Sequence, residues 1–224
     1  VGMALYNYTD GYGTYLIPAV LMVVIFQTLV MVISMLSGKE REESVSRMSL
    51  HGREETTAFR FFTSLGGGDN NENHRVDLSF SRMASIVLGK TSVYVLFYAL
   101  FSVFLLGLLP LLFQLPHLAH PILIIQLMIP YIIATSFFAL ACSVFFSDSD
   151  APLLMIAFFS VGLIFLSGVS YPLELMPWYW QWTHYLIPAA PGTLAFVKIN
   201  SMGADMSGIS QQYIILWMQC VGYF

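Results

Sequence analysis

Long apolar runs free of charge, parted by short polar breaks, set the pattern of this chain. Thr14 to Leu36 contains no Asp, Glu, Lys or Arg, and as a helix its 23 residues would rise about 34 Å, enough to cross the ~30 Å hydrocarbon core of a bilayer. Pro18 falls near the start of this span, where a missing N–H costs least, and Gln27 is its main polar interruption, expected to face a neighbouring helix. Thr91 to Ser147 is again uncharged, and its 57 residues are too many for one helix but suit two. Leu115 to Pro121, carrying Pro116, His117, His120 and Pro121, supplies the turn between them, which predicts spans at about 85–113 and 121–146.

Ser147, Asp148, Ser149 and Asp150 make the next polar turn, with Asp150 placed to cap a helix that opens at Ala151 and Pro152. This fourth span, Ala151 to Tyr171, runs into Ser167, Gly168, Val169 and Ser170, which weaken a helix before Pro172 stops it. Trp178, Tyr179, Trp180, Trp182 and Tyr185 then crowd between Pro177 and Pro188, and such rings prefer the headgroup level of a bilayer. Because Pro177, Pro188 and Pro191 interrupt the uncharged run Leu175 to Val197, the region predicts two short interfacial or re-entrant helices rather than a straight span. Ser210 to Phe224 opens a fifth span. It holds 15 residues where about 20 are needed, and the chain starts with Val, so the expectation is a fragment cut at both ends.

Composition points the same way. The chain is 57% hydrophobic and 10% charged, against roughly 45–50% and about 25% in a soluble domain, which selects the membrane class. The expected fold is an all-α polytopic transmembrane helical bundle of about five spans, plus the short interfacial or re-entrant helices. It forms one domain over 1–224, with a loop at 37–84 and an external segment at 172–209. Eight of the nine Lys and Arg residues lie between Lys39 and Lys90, and basic loops stay on the cytoplasmic side. That rule makes 37–84 cytoplasmic and, by alternation, puts the aromatic segment outside, where Lys198 is the sole basic residue. Within the loop, the stretch up to about Phe62 has helix-compatible composition, with Phe59, Phe61 and Phe62 suited to an amphipathic helix. Gly66, Gly67, Gly68, Asp69, Asn70 and Asn71 read as a flexible turn.

Little chemistry is on offer. Cys142 and Cys220 both sit in apolar runs and read as small buried hydrophobes. His117 and His120 have no carboxylate or cysteine nearby to complete a metal site, and Gly66 to Gly68 lacks the Lys and hydroxyl of a phosphate-binding loop. No Gly-x-Ser-x-Gly elbow and no spaced acid pair appears. The spans carry neutral polar residues instead, Gln27, Gln126, Thr135, Ser136, Ser143 and Ser160, which suit helix packing more than substrate contact. Any transport would have to draw its energy from elsewhere.

The residues also suggest a family. Leu166, Ser167, Gly168, Val169, Ser170, Tyr171 and Pro172, followed by Met176, Pro177, Trp178 and later Pro188, resemble the signature of type-2 ATP-binding-cassette (ABC) export permeases. There a Ser-Gly pair and an aromatic-Pro pair close the fifth membrane helix, and a Met-Pro pair opens the short outer helices. Gly38, Lys39, Glu40, Arg41 and Glu42 resemble the charged cytoplasmic exit of that family's second membrane helix, and Tyr15, Leu16, Ile17 and Pro18 its outer start. The sequence departs from the pattern in having Lys39 rather than the frequent Thr after Gly38, and in a long, glycine-interrupted stretch from Ser44 to Ser81.

The resemblance implies that the five spans are helices 2 to 6 of a six-helix permease of a bacterial inner membrane, with a first helix and an external domain preceding Val1. It implies no catalytic residue, cofactor or metal in this chain, the ATP and magnesium belonging to a cytoplasmic ABC ATPase partner. A second permease subunit, identical or related, and membrane lipid would be further partners; nucleic acid would not. Candidate ATPase-docking residues are Lys39, Glu40, Arg41, Glu42, Glu43 and Arg47. Candidate residues of the external gate or re-entrant segment are Ser167, Gly168, Tyr171, Pro172, Met176, Pro177 and Trp178. The rival expectations are a non-transporting membrane scaffold or assembly protein, and a membrane enzyme for which the catalytic residues are not found.

Overall fold

A computed structural model of the chain describes residues 12–50, 80–112, 120–146, 150–171 and 173–224. Its regular elements are helical: α1 Tyr12–Leu50, α2 Phe80–Val103, α3 Pro121–Ser143, α4 Ala151–Leu166, α5 Trp178–Leu186, α6 Ala189–Met202 and α7 Ser210–Tyr223. Short 3-10 turns, Leu173–Leu175 and Met206–Ile209, stand before α5 and α7. Leu16–Glu40, Val87–Leu108 and Pro121–Ser143 are long and apolar enough to cross a membrane, while Ala151–Leu166 is apolar but shorter. The glycine cluster, Phe59 to Phe62, His117 and Pro172 lie outside the described residues.

Prolines decide where several of these helices start and bend. Pro121 and Pro152 stand in the first turns of α3 and α4, where a missing N–H leaves no bond unmade. Pro18 is different from expectation: α1 begins at Tyr12, so Pro18 lies well inside it and the carbonyl of Thr14 loses its helical donor. Past Val103, α2 widens into a π-turn, Phe104–Leu108, before the helical residues Leu109–Leu112. The sequence gives the cause in Pro110, whose ring would strike the carbonyl of Leu106 in a regular α-helix; one wider turn relieves the clash. Asp150 does occupy the N-cap position of α4, but its side chain makes no capping bond. Its backbone is already helical there, whereas a capping side chain needs an extended residue to fold back on the first turn.

Helices α1 and α3 form the centre. α1 packs against α3, α6 and α4, and more lightly against α2; α3 also meets α2, α6 and α7. The inward stripe of α1, Met22, Ile25, Phe26, Leu29, Val30 and Ile33, follows the three-and-four spacing of one helix face and is closed off from solvent. It meets Leu127, Tyr131 and Ile132 of α3 together with Phe196 and Ile199 of α6 in one core. Gln27 is half-buried beside this stripe. Apolar contact gains little over apolar lipid, so close backbone approach and interhelical hydrogen bonds matter more here than in a soluble core.

Both devices meet at Tyr131. Its side chain is fully buried, and its hydroxyl donates to the Met22 carbonyl of α1 at 2.8 Å. Its ring lies so close over Gly192 of α6 that a Cβ there would sit 2.3 Å from two ring carbons. Ala189, Ala190 and Ala195, all buried, keep the rest of that helix thin. One residue thereby fixes three helices at once. By contrast Leu96, Phe97 and Leu100 of α2, Leu154 and Phe158 of α4, and Met218 and Val221 of α7 point outward and exposed. An apolar surface of that extent is stable against acyl chains or another protein, not against water.

Gly192→Ala is expected to destabilise the fold by about 1–3 kcal/mol, since the buried ring has no free direction to yield. Thermal unfolding of the detergent-solubilised protein measures it. Unfolding of the variant at the wild-type temperature would show that the contact is not tight.

Candidate functional site

Two regions gather the candidate residues. The first is the charged end of α1. The helix is continuous from Tyr12 to Leu50, so Lys39, Glu40, Arg41, Glu42, Glu43 and Arg47 ride on the same rod as the apolar stripe. Lys39, Glu40 and Glu42 are exposed; the side chains of Arg41, Glu43 and Arg47 fall outside the described set. Glu40 accepts a 2.5 Å hydrogen bond from Lys90 Nζ of α2, with Lys90 mostly covered and Glu40 half exposed. A pair this open to solvent stabilises the fold by about 0–1 kcal/mol.

The second region is the segment from Ser167 to the start of α7, and hydrogen-bond accounting governs its geometry. A helix end leaves its last four carbonyls without helical donors. At the end of α4 all four are met. Leu163 O receives the Ser167 N–H at 2.9 Å, and Phe165 O the Gly168 N–H at 3.2 Å. Ile164 O accepts from Ser167 Oγ at 2.6 Å, and Leu166 O from His184 Nδ1 at 2.8 Å. Gly168, at φ 78°, turns the chain out of the helix in a conformation side chains disfavour. The helix therefore ends at Leu166, earlier than the expected Tyr171, because the Ser-Gly pair both satisfies and redirects it before Pro172 can act.

The same accounting holds further along. Gln181 Nε2 donates to Leu173 O at 3.2 Å and Met176 O at 2.9 Å, and the exposed Tyr171 hydroxyl donates to Leu175 O at 3.4 Å. Pro177 opens α5, its carbonyl accepting from the N–H groups of Trp180 and Gln181. At the far end of α5, Gln219 Nε2 of α7 donates to Tyr185 O at 2.7 Å, and the Tyr223 hydroxyl donates to Leu186 O. Gln219 and Tyr223 stand 9 and 13 residues beyond Ser210, so the α5–α6 turn lies roughly 14–20 Å along α7 from its start. The segment thus folds back alongside α7 instead of lying flat across the helix ends. Its turn suits burial: Ala190 N–H donates to Ile187 O at 3.1 Å, Gly192 N–H to Pro188 O at 3.2 Å, and Pro191 has no N–H to leave unpaired.

Trp178 and Trp182 remain exposed on α5, while His184, one of its nine residues, is buried at 1% exposure. Burial lowers its pKa below the ordinary 6.5, partly opposed by the bond to the Leu166 carbonyl. It is the neutral ring, Nδ1 protonated, that this acceptor calls for. Ser167, Gly168 and Met176 are brought together with His184 and Gln181, residues the sequence reading passed over. His184 stood out only as an ionisable group inside an apolar, aromatic stretch, and Gln219 only as a polar break in an apolar run. Nothing in this constellation pairs a nucleophile with a base; its side chains serve backbone carbonyls. Among the described residues no group of three or more His, Cys, Asp or Glu could hold a metal ion.

Compared with known proteins, residues 71–224 match the family model described as ABC-2 family transporter protein. The match takes in α2 to α7 and the whole folded-back segment, and stops short of α1. No curated protein and no solved structure matches the chain.

Because the folded pKa of His184 lies below its unfolded value, the unfolded state binds the proton more tightly. Stability from this residue is full above 6.5 and falls as pH drops through the window beneath it. His184→Phe should cost about 1–3 kcal/mol by orphaning the Leu166 carbonyl, and should flatten the acid limb of stability in the range beneath the ordinary histidine value. Unfolding scans across that range decide it: an identical acid limb in the variant would show that His184 is not the titrating group.

Proposed function

The chain belongs to the ABC-2 family of transporter proteins, and from that premise we propose that it is the membrane-spanning subunit of an ATP-driven exporter. As a member of that family it is a membrane ABC transporter subunit rather than an enzyme, and works with an ABC ATPase. In the finer reading the ATP and magnesium belong to a separate cytoplasmic subunit, and a second permease subunit completes the pathway in a bacterial inner membrane. The cargo is an amphipathic, lipid-like or glycan-like molecule moved outward.

The observation that carries this reading is the continuity of α1. Lys39 lies 20 residues beyond Ala19, about 30 Å of unbroken helix. Ala19 itself packs against Val169, just past the end of α4, and Val197, within α6. A push on the charged end therefore reaches the folded-back segment through one rigid element. Charge suits the receiving end, since polar contacts steer a partner and hold it without a large apolar surface. Ser167, Gly168, Tyr171, Pro172, Met176, Pro177 and Trp178 would then form the part of the outer gate that yields when α1 moves, and the two permease subunits would rock apart around it.

Reversing charge at Lys39, Arg41 and Glu42 together should strip the ATPase from the complete subunit during purification from membranes, and the loss should deepen with salt. Glu40 is left intact so that its bond to Lys90 stays in place. Recovery of the ATPase in undiminished amount would place docking elsewhere. Absence of any ATPase from the unsubstituted subunit would defeat the exporter reading.

A further inference from the structure

Between the charged end of α1 and the membrane part of α2, the contact is thin. α2 packs mainly on α3 and only lightly on α1, and it is the least covered of the three long apolar helices, 28% of its span being buried. Where the two helices meet, the Lys90–Glu40 bond bridges them. Ser37, one turn before Glu40, and Thr91, next to Lys90, are both buried, at 6% and 3% exposure, and among the described residues their hydroxyls have no hydrogen-bond partner. The Lys90–Glu40 bond therefore bridges a light contact at the charged end of α1, while further along α2 the buried Tyr98 joins the core of the α1 stripe. A light contact of that kind is suited to shifting between two arrangements, whereas the Tyr131 joint on the other side of α1 is not.

We propose that Lys90 is a positioning residue that passes movement of the docking end of α1 to α2, through its bond to Glu40. The inference rests on the reading of that end as the ATPase-docking element, and it adds a residue and a helix which that reading does not contain. Lys90 touches neither ATP nor cargo. When the docking end is displaced, the ammonium group draws α2 along with Glu40 and keeps the two helices in register; without it α1 moves alone and turnover is not completed. Because its Glu40 end is half exposed, the bond adds little to stability, and its role lies in coupling.

The test uses the complete subunit co-expressed with its ATPase, with Mg-ATP as the probe. Lys90→Glu should lower kcat for ATP hydrolysis roughly tenfold, in the range of ordinary coupling between sites. The KM for ATP, the amount of ATPase recovered and the unfolding temperature should stay at wild-type values. Lys90→Arg should keep most of the activity. Wild-type kcat in Lys90→Glu, a Lys90→Arg variant no more active than Lys90→Glu, or a joint fall of kcat and unfolding temperature would each overturn the proposal. Absence of any ATPase from the unsubstituted complex would defeat the functional reading itself, an outcome distinct from all three.

Discussion

Backbone carbonyls cannot be left bare where no water can reach them, and in lipid the usual answer is an unbroken helix. This chain breaks its helices beside the packed core and must answer otherwise. The ends of α4 and α5 and the turn between them expose carbonyls, and the groups that meet them come from the local turn and from side chains further along the chain: Ser167, His184, Gln181, Gln219 and Tyr223. Each such pairing ties one element to another. His184 fixes α5 to the end of α4, and Gln219 with Tyr223 fixes the end of α5 to α7. The folded-back segment is thus assembled by polar bonds between elements, set on an apolar framework of α1, α3 and α6 that exists without them.

That division gives the two regions different mechanical characters. Around Tyr131 the ring fills the space that Gly192 leaves, and its hydroxyl is spent on Met22, so α1, α3 and α6 have no slack to slide. Around Glu40 and Lys90 the contact is lighter and includes an ion pair between long side chains, the Glu40 end half exposed. A helix held rigidly near one end and loosely near the other works as a lever.

The spans were legible because absence of charge over some twenty residues is a one-dimensional signal; α1, α2 and α3 stand where the uncharged runs put them. Breaks marked by Pro or a Ser-Gly pair were legible too, although the helix before Pro172 stops at Leu166. What the sequence withheld are relations that need depth. Nothing local pairs His184 with Leu166, 18 residues away, or Gln219 with Tyr185, 34 away. Gly192 looked like one small residue among several until the Tyr131 ring was found against it. The π-turn at Phe104–Leu108 follows from Pro110 by steric reasoning, yet a proline there is equally compatible with a kink. For the charged run the sequence supplied the residues but not their setting on a helix shared with the apolar stripe.

A neutral imidazole at the hinge between α4 and α5 is a choice with consequences. A glutamine could also donate to the Leu166 carbonyl, but its amide oxygen would then need a donor of its own in an apolar site. The neutral imidazole leaves only Nε2 as a further acceptor, and its flat ring fills space among the aromatic residues, meeting Tyr185 edge to face at a centroid separation of 5.2 Å. Protonating the ring would put a charge where burial disfavours it and would strain the same joint that closes α4. The arrangement is therefore sound when the ring is neutral and weakens on protonation, which makes this hinge sensitive to acid.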